Sequence, residues 1–232
     1  MSFTEVTLHL MDGFWISLLI FAVTLLCGAP LGLPIAFCSM SRFRPVRTVA
    51  RIIVWIVRGV PLMLQIFIIY YVPGLLSDHY NLFGEIDRYF LLAYGIEDAG
   101  RIMAVLIAFT LNYACYFSEI YRGGIESISK GQYEAGFVLG LSKSQVFYKI
   151  VLKQVIQRIV PPMSNEIITL IKDTALANCI MVSELIKQAK ELAAEEALIW
   201  PLFYTGVFYL LFVGLLTVVL GKLEKKLSYF RG

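Results

Sequence analysis

One uninterrupted apolar run constrains the fold of this chain more than any other feature. From Phe14 to Cys38, 25 consecutive residues carry no charge. About 20 apolar residues are enough for an α-helix to cross the hydrocarbon core of a bilayer, so the run predicts a tilted membrane-spanning helix. The composition agrees, because 59% of the residues are hydrophobic, 16% are charged and the mean hydropathy is +0.75. The sequence therefore predicts an all-α integral membrane protein.

Five spans are predicted, and the loops between them alternate in charge. The spans lie at about 14–38, 52–72, 102–121, 161–182 and 199–220. Residues 42–51 hold four arginines and no acid, whereas residues 73–101 hold five acids and two bases. Residues 122–158 are again basic, residues 183–196 acidic, and the tail from Lys222 basic. Because Lys and Arg accumulate on the cytoplasmic side, this order predicts one domain, 1–232, with the N-terminus outside and the C-terminus inside.

A polar, amphipathic segment, about 129–158, separates the third and fourth spans, although a simple connection needs only a few residues. Two S-x-x-Q sequences in it predict two helix starts by reciprocal side-chain and backbone hydrogen bonds, at Ser129 with Gln132 and at Ser142 with Gln145. Gly140 supplies the permissive backbone that ends the first helix. The sequence predicts a short helix, a sharp turn and a second helix, exposed in the cytoplasm.

This segment resembles the EAA loop of bacterial ABC-importer permeases, whose pattern is Glu-Ala-Ala, three residues, Gly, nine residues, Ile, one residue and Leu-Pro. The matching residues are Glu134, Ala135, Gly140, Ile150 and Leu152. Gly136 and Lys153 depart from the pattern. In that family the short helix is a coupling helix that docks on the ATP-binding subunit. The resemblance therefore implies a coupling role for Glu134, Ala135, Gly136, Leu139, Gly140 and Ser142.

Polar side chains inside the second span point to a pathway. Such residues are costly in a membrane and usually face a bundle interior or a water-filled cavity. Arg58, Pro61 and Gln65 share one helical face by their spacing, and Pro61 is predicted to remove a backbone hydrogen bond and kink the helix. The run from Arg58 to Gln65 resembles the RGTP-LLxQ signature of polar amino-acid permeases, with Val60 for Thr. Arg58 is interpreted either as a snorkelling or gate-latching cation or as a contact for a substrate carboxylate.

The third span carries a polar stripe of Asn112, Tyr116 and Glu119, with Tyr113 beside it. Residues 112–114 and 118–125 resemble the LNYGAY and AEIFRAGI runs of the same permeases. Asn112 and Tyr116 are assigned to the pathway, with simple helix packing as the alternative for the tyrosines. Glu119 is predicted to be structural, paired with Arg122.

The fourth span is the most polar, and it offers two overlapping stripes. One consists of Asn165, Thr169 and Lys172, and the other of Glu166, Thr169 and Asp173. Residues 171–177 resemble the IKDTSLA run of amino-acid permeases. Two interpretations stay open for these residues: a buried structural ion network, or a polar site for a zwitterion near the midplane.

Four runs in the family order thus resemble the polar amino-acid ABC-importer permeases, which serve histidine, glutamine, arginine or cystine. The resemblance implies a MetI-like permease fold, a multi-pass location in the bacterial cytoplasmic membrane and alternating access. It implies partnership with an ATP-binding subunit, a second permease copy or relative, an external substrate-binding protein and membrane lipid. No catalytic, metal or cofactor site is expected in this chain, because ATP and Mg would be bound by the partner ATPase.

Other classes of function fit less well. A stand-alone secondary transporter or channel could also use charges at membrane depth, but no internal repeat is visible. A membrane enzyme could use Glu166 and Asp173 as paired acids, yet both histidines, His9 and His79, lie outside the predicted spans and no zinc-type motif occurs. No phosphate-binding Gly-rich loop is present. The net charge of +3 does not favour nucleic-acid binding.

Overall fold

Helices make up the computed structural model over the residues that it describes, 3–76, 82–195, 197 and 199–228. Asp78, His79, Glu196 and Arg231, which the charge and histidine patterns included, lie outside the described residues. The chain also contains a π-helical turn, Phe147–Val151, and a 3-10 helix, Thr174–Ile180. The α-helices are α1 Phe3–Ser39, α2 Arg44–Gly59, α3 Leu62–Leu76, α4 Leu82–Tyr94, α5 Ala99–Glu126, α6 Lys130–Val138, α7 Lys143–Val146, α8 Leu152–Asp173, α9 Leu185–Glu195 and α10 Trp200–Ser228.

Three of the described helices, α1, α5 and α10, are long and apolar enough to cross a membrane. The pair α2 and α3 is a fourth candidate if the two helices are taken as one broken span. The fourth predicted span corresponds mainly to α8, which has 22 residues but contains the charged side chains Glu166, Lys172 and Asp173. Three or four spans are thus supported by length and composition, and the count of five stays a prediction.

The second predicted span is not one helix, because the chain bends by 102° between α2 and α3. The bend lies at Val60, whose backbone is extended with φ −98° and ψ 132°. Steric contact with the ring of a following proline disfavours helical backbone at the preceding residue, and Pro61 has no N–H to continue the α2 ladder. The kink predicted at Pro61 is present, and it is sharp enough to divide the predicted span, about 52–72, into two helices.

Close packing of α1 on α5 forms the centre of the bundle. Gly28 and Gly32 of α1 face α5, and a Cβ added at Gly32 would lie 2.9 Å from the Phe117 Cβ and 3.0 Å from the Ala114 carbonyl oxygen. In α5, Phe109 and Phe117 are fully buried in the main core. Small residues let membrane helices approach closely enough for extensive van der Waals contact. The glycines of α1 thus determine how near the two central helices lie.

The predicted turn between α6 and α7 is present, and we call residues 130–146 the elbow. Gly140 has a left-handed backbone with φ 74°. Its N–H donates to the Phe137 carbonyl at 2.9 Å, and the Leu141 N–H donates to the Gly136 carbonyl at 3.1 Å. These two bonds form a Schellman motif, which satisfies the last carbonyls of α6. The elbow therefore has a defined geometry without help from a partner.

Only the second of the two predicted capping boxes is present. The Ser142 N–H donates to Gln145 Oε1 at 2.9 Å, and the Gln145 N–H donates to Ser142 Oγ at 3.3 Å. Ser129 makes no such side-chain bond. The side chain of Gln132 instead accepts a bond from Gln154 Nε2 of α8 at 2.9 Å. The first box was wrong because a tertiary contact binds the glutamine that the local motif required.

The α1–α5 contact predicts a contrast between two glycines on the same helix. Gly32→Ala should lower the free energy of unfolding by about 1–3 kcal/mol through overpacking. Gly28→Ala is the matched control, since its Cβ would meet its nearest neighbours at 3.5 Å, which is ordinary contact. Thermal unfolding of the purified protein in detergent measures both changes. Equal midpoints for the two variants would contradict the proposed packing constraint.

Candidate functional site

A polar cavity of about 500 Å³ lies where α5, α8 and the α2–α3 bend meet. Six of the residues predicted for the pathway line it, and they come from three separate parts of the chain: Arg58, Asn112, Tyr116, Glu166, Thr169 and Asp173. Val60 and Pro61 of the bend form another part of the wall. The bend thus places backbone and side chains of the second predicted span beside the polar faces of α5 and α8.

The cavity is lined by one of the two polar stripes of α8. Glu166, Thr169 and Asp173 line it, spaced by three and four residues along one helical face. Asn165 and Lys172 are exposed and are not among the lining residues. Two of the five polar residues singled out in the fourth span therefore point elsewhere.

Tyr113 belongs to the cavity wall, although the sequence interpretation placed it only beside the stripe. Its ring is buried, and its hydroxyl donates to Asp173 Oδ2 at 2.7 Å. Glu166 makes no hydrogen bond or ion pair with any described residue. The sequence signal for Tyr113 was its spacing of three from Tyr116, whose ring lies 6.2 Å from its own. One carboxylate of the cavity is thus held by a tyrosine, and the other is available.

Arg58 stands between the cavity and a cluster of charges nearer the elbow. Its guanidinium lies 4.8 Å from the centre of the Tyr116 ring, and its Nη1 is 3.6 Å from Glu119 Oε2. Arg122 binds both oxygens of Glu119, at 3.0 and 2.7 Å, which confirms the predicted pair. Arg51 lies 3.9 Å from Glu126 in the same cluster. Arg58 therefore lines the cavity and takes part in an ion network, so the geometry is compatible with both interpretations.

Gln65 does not line the cavity but holds the bend. Its Nε2 donates to the Val57 carbonyl at 2.7 Å and to the Val60 carbonyl at 2.9 Å. In an uninterrupted helix the Val57 carbonyl would accept from the N–H of residue 61, which a proline lacks. The amide of Gln65 replaces that donor. The sequence interpretation put Gln65 on the face of Arg58 because it applied one helical spacing across the kink at Pro61.

Removal of the Gln65 amide should destabilise the bend. Gln65→Met keeps the side-chain length but leaves two carbonyls without this donor, and we expect a loss of about 1–3 kcal/mol in unfolding free energy. Gln157→Met is the control, because that amide makes a single bond, 3.1 Å long, to the Leu227 carbonyl near the end of α10. Chemical denaturation in detergent measures the unfolding free energy of the two variants. A smaller loss for Gln65→Met than for its control would refute the role.

The architecture defines a class of protein. A polar cavity lies within a bundle that includes three long apolar helices, and an amphipathic elbow follows the end of α5 that is remote from α4. Lipid-facing helices do not tolerate such polar groups, which normally line a path or a binding site within the membrane. The chain is an all-helical membrane permease in its general design.

Comparison with known proteins gives the family. A family profile described as "Binding-protein-dependent transport system inner membrane component" matches residues 28–229. The chain belongs to this family of ABC-transporter permeases, as the resemblance of its motifs predicted.

Two curated relatives from Bacillus subtilis (strain 168) match along almost the whole chain. The L-cystine transport system permease protein TcyB is 33% identical over 223 residues, covering 95% of this chain and 87% of the relative. The arginine transport system permease protein ArtQ is 33% identical over 221 residues, covering 94% of this chain and 92% of the relative. Both matches extend from the first span to the last.

Solved structures confirm the MetI-like permease fold. A crystal structure of an amino acid ABC transporter with histidines superposes with a TM-score of 0.78 at 24% identity, covering 96% of each chain. The MetNI methionine ABC transporter in an inward-facing conformation gives a TM-score of 0.69 at 15% identity, covering 98% of this chain and 99% of the other. At these identities the likeness concerns the fold.

Proposed function

We propose that the chain is the transmembrane subunit of an ABC importer that moves a polar amino acid across the bacterial cytoplasmic membrane. The elbow carries the proposal. At its tip, Val138 and Leu139 are 87% and 75% exposed, although the Schellman motif and the capping box hold the backbone around them. A rigid, apolar tip rimmed by polar residues is typical of an interaction site. We infer that the ATP-binding subunit covers it.

The residues of the elbow have two different tasks in this proposal. Glu134, Ala135 and Leu139 are exposed and would contact the ATP-binding subunit. Gly136 is buried, and a Cβ there would lie 2.6 Å from Val146 Cγ2, so glycine lets α6 pack on α7. The departure from the EAA pattern at this position thus has a packing reason. Gly136, together with Gly140 and Ser142, would position the contact surface rather than form it.

Movement of the elbow would reach the cavity by a short route. After α7, the π-helical turn leads into α8 without an intervening loop. α8 carries Glu166, Thr169 and Asp173, which lie on the cavity wall. Val146, Val151 and Val155 join the elbow, the turn and the start of α8 in one apolar cluster. ATP-driven closure of the partner ATPases, transmitted through this cluster, would produce alternating access.

The cavity has the chemistry that a polar amino acid requires. An ammonium group would find the carboxylates of Glu166 and Asp173, and a carboxylate would find the guanidinium of Arg58. A volume of about 500 Å³ lies within the usual range of small-molecule sites. Asn112, Tyr116 and Thr169 would supply further hydrogen bonds. Substrate would arrive from an external binding protein, and a second permease subunit would complete the pathway.

Loop charges support an orientation with the N-terminus outside and five crossings, α8 among them. The elbow then lies in the cytoplasm, where the partner ATPase binds ATP and Mg. The acidic segments 73–101 and 183–196, which contain α4 and α9, would face the external binding protein. In this proposal the present chain forms the transport pathway and the coupling elbow, and the partner subunit hydrolyses ATP.

Asp173→Asn tests the cavity. The amide oxygen can still accept the Tyr113 hydroxyl, but the charge is lost, and hydrogen bonds to charged groups contribute about 1.5–3 kcal/mol. We expect ATP-driven uptake in proteoliposomes to fall by about 10- to 100-fold with little change in abundance. Lys172→Gln, an exposed neighbour outside the cavity, should change uptake little. Equal losses of uptake and abundance for Asp173→Asn would favour a structural ion network.

Leu139→Asp tests the elbow. A charge in the docking surface should remove the ATP-binding subunit from the complex purified in mild detergent, while the permease remains in the membrane. Leu92→Asp is the control, since Leu92 of α4 is 77% exposed at the other end of α5. Full co-purification and uptake with Leu139→Asp would exclude the coupling role and favour a stand-alone transporter.

A further inference from the structure

A second cavity, entirely apolar, lies between the end of α1 and the start of α2. It has a volume of about 510 Å³ and is lined only by apolar atoms. Its walls include Ile35 and Cys38 of α1 and Pro45, Val46, Val49 and Ile53 of α2. We call it the α1–α2 groove. Its lack of polar lining atoms suits a hydrocarbon chain.

α2 carries arginines on one face and apolar side chains on the opposite face. Arg44, Arg47 and Arg51 are spaced by three and four residues and share one face. Val46, Val49 and Ile53, which line the groove, lie on the opposite face. A helix with a cationic face and an apolar face is typical of the membrane–water interface. The 102° bend from α3 directs α2 away from the axis of the helix that follows it.

Three cations beside the groove have no counter-charge among the described residues. Arg51 is engaged, because its Nε donates to the Ser39 carbonyl at 3.1 Å and its Nη2 lies 3.9 Å from Glu126. Arg42, in the turn between α1 and α2, and Arg44 and Arg47, in the first turn of α2, form no ion pair with any residue that the structure describes. Residues 42–51 contain no acid. Cations without a counter-charge among the described residues thus lie beside the apolar α1–α2 groove.

We propose that the α1–α2 groove and its arginines bind an anionic phospholipid. One acyl chain occupies the groove, and the phosphate lies beside Arg42 and Arg44. The site rests on the proposed orientation, which puts this junction in the cytoplasmic leaflet. A clustered set of cations next to a membrane helix attracts anionic headgroups, whereas the groove alone would accept any lipid.

A second copy of the chain is a weaker candidate for this groove. In a symmetric dimer the same surface patch meets itself. Arg42, Arg44 and Arg47 of both copies would then approach one another with no acidic residue in 42–51 between them, and like charges repel. An anionic headgroup neutralises the same charges. Charge complementarity therefore favours lipid.

Cys38 allows a direct test, because it lines the groove and is exposed. The full transporter, with its ATP-binding subunit, is prepared with Cys27→Ser, Cys115→Ala and Cys179→Ser and carries a bimane label on Cys38. It is placed in nanodiscs that contain brominated phosphatidylglycerol or, at the same mole fraction, brominated phosphatidylcholine. We expect preferential quenching by the anionic lipid. Each cation near an anionic surface contributes about fivefold, so Arg42→Gln with Arg44→Gln should reduce the preference by about 30-fold.

Two controls distinguish the effect of the arginine charges from the effect of the apolar groove. Lys222→Gln with Lys226→Gln removes the same charge near the end of α10 and should leave the preference unchanged. Ala50 also lines the groove, so Ala50→Phe fills it without a change of charge and should abolish quenching by both lipids. Equal quenching by both lipids in the parent protein, or a Cys38–Cys38 disulfide between two copies in the unlabelled protein, would overturn the inference.

The same preparations distinguish this inference from the proposed function. ATP-driven uptake is measured for each variant in vesicles of neutral lipid. Uptake that persists while the parent protein shows no lipid preference would remove the lipid site and leave the importer function intact. Absence of ATP-driven uptake in the parent protein would count against the importer function, whatever the quenching shows.

Discussion

The close approach of α1 and α5 is the contact on which the rest of the structure depends. A membrane provides no hydrophobic force between helices, so their association relies on van der Waals packing, which small residues allow. Gly32 admits the backbone of α5 near Ala114 and Phe117. α5 in turn carries Asn112, Tyr113 and Tyr116 to the cavity. A wider separation would move one wall of the cavity away from the carboxylates of α8.

Polar residues in this bundle are divided into two layers along α5. Nearer the elbow, Glu119 is bound on both oxygens by Arg122, which makes it a fixed part of the frame. Further along, Asp173 has one tyrosine partner and Glu166 has none among the described residues. Arg58 lies between these layers, 3.6 Å from Glu119 and beside the Tyr116 ring. Structural and accessible charges are thus neighbours, which explains why helical spacing alone could not separate them.

Sequence reasoning succeeded where local rules decide the structure. The Gly140 turn and the Ser142 box depend on residues a few positions apart, and both are present. It failed where distant residues decide. Gln132 bonds to Gln154, 22 residues away, rather than to the start of its own helix. Tyr113 was underrated for a similar reason, since its partner Asp173 lies 60 residues away. Gln65 is a different case, because its partners Val57 and Val60 are close in sequence but lie across the sharp bend at Pro61.

The amide of Gln65 has a mechanical consequence. It reaches the Val57 and Val60 carbonyls at the same time, so only a narrow range of angles between α2 and α3 keeps both bonds. To straighten this corner, the protein must release both carbonyls together, at a total cost of about 1–3 kcal/mol. The Gln65 amide therefore holds α2 and α3 at their observed angle, and a change of that angle requires an input of a few kcal/mol.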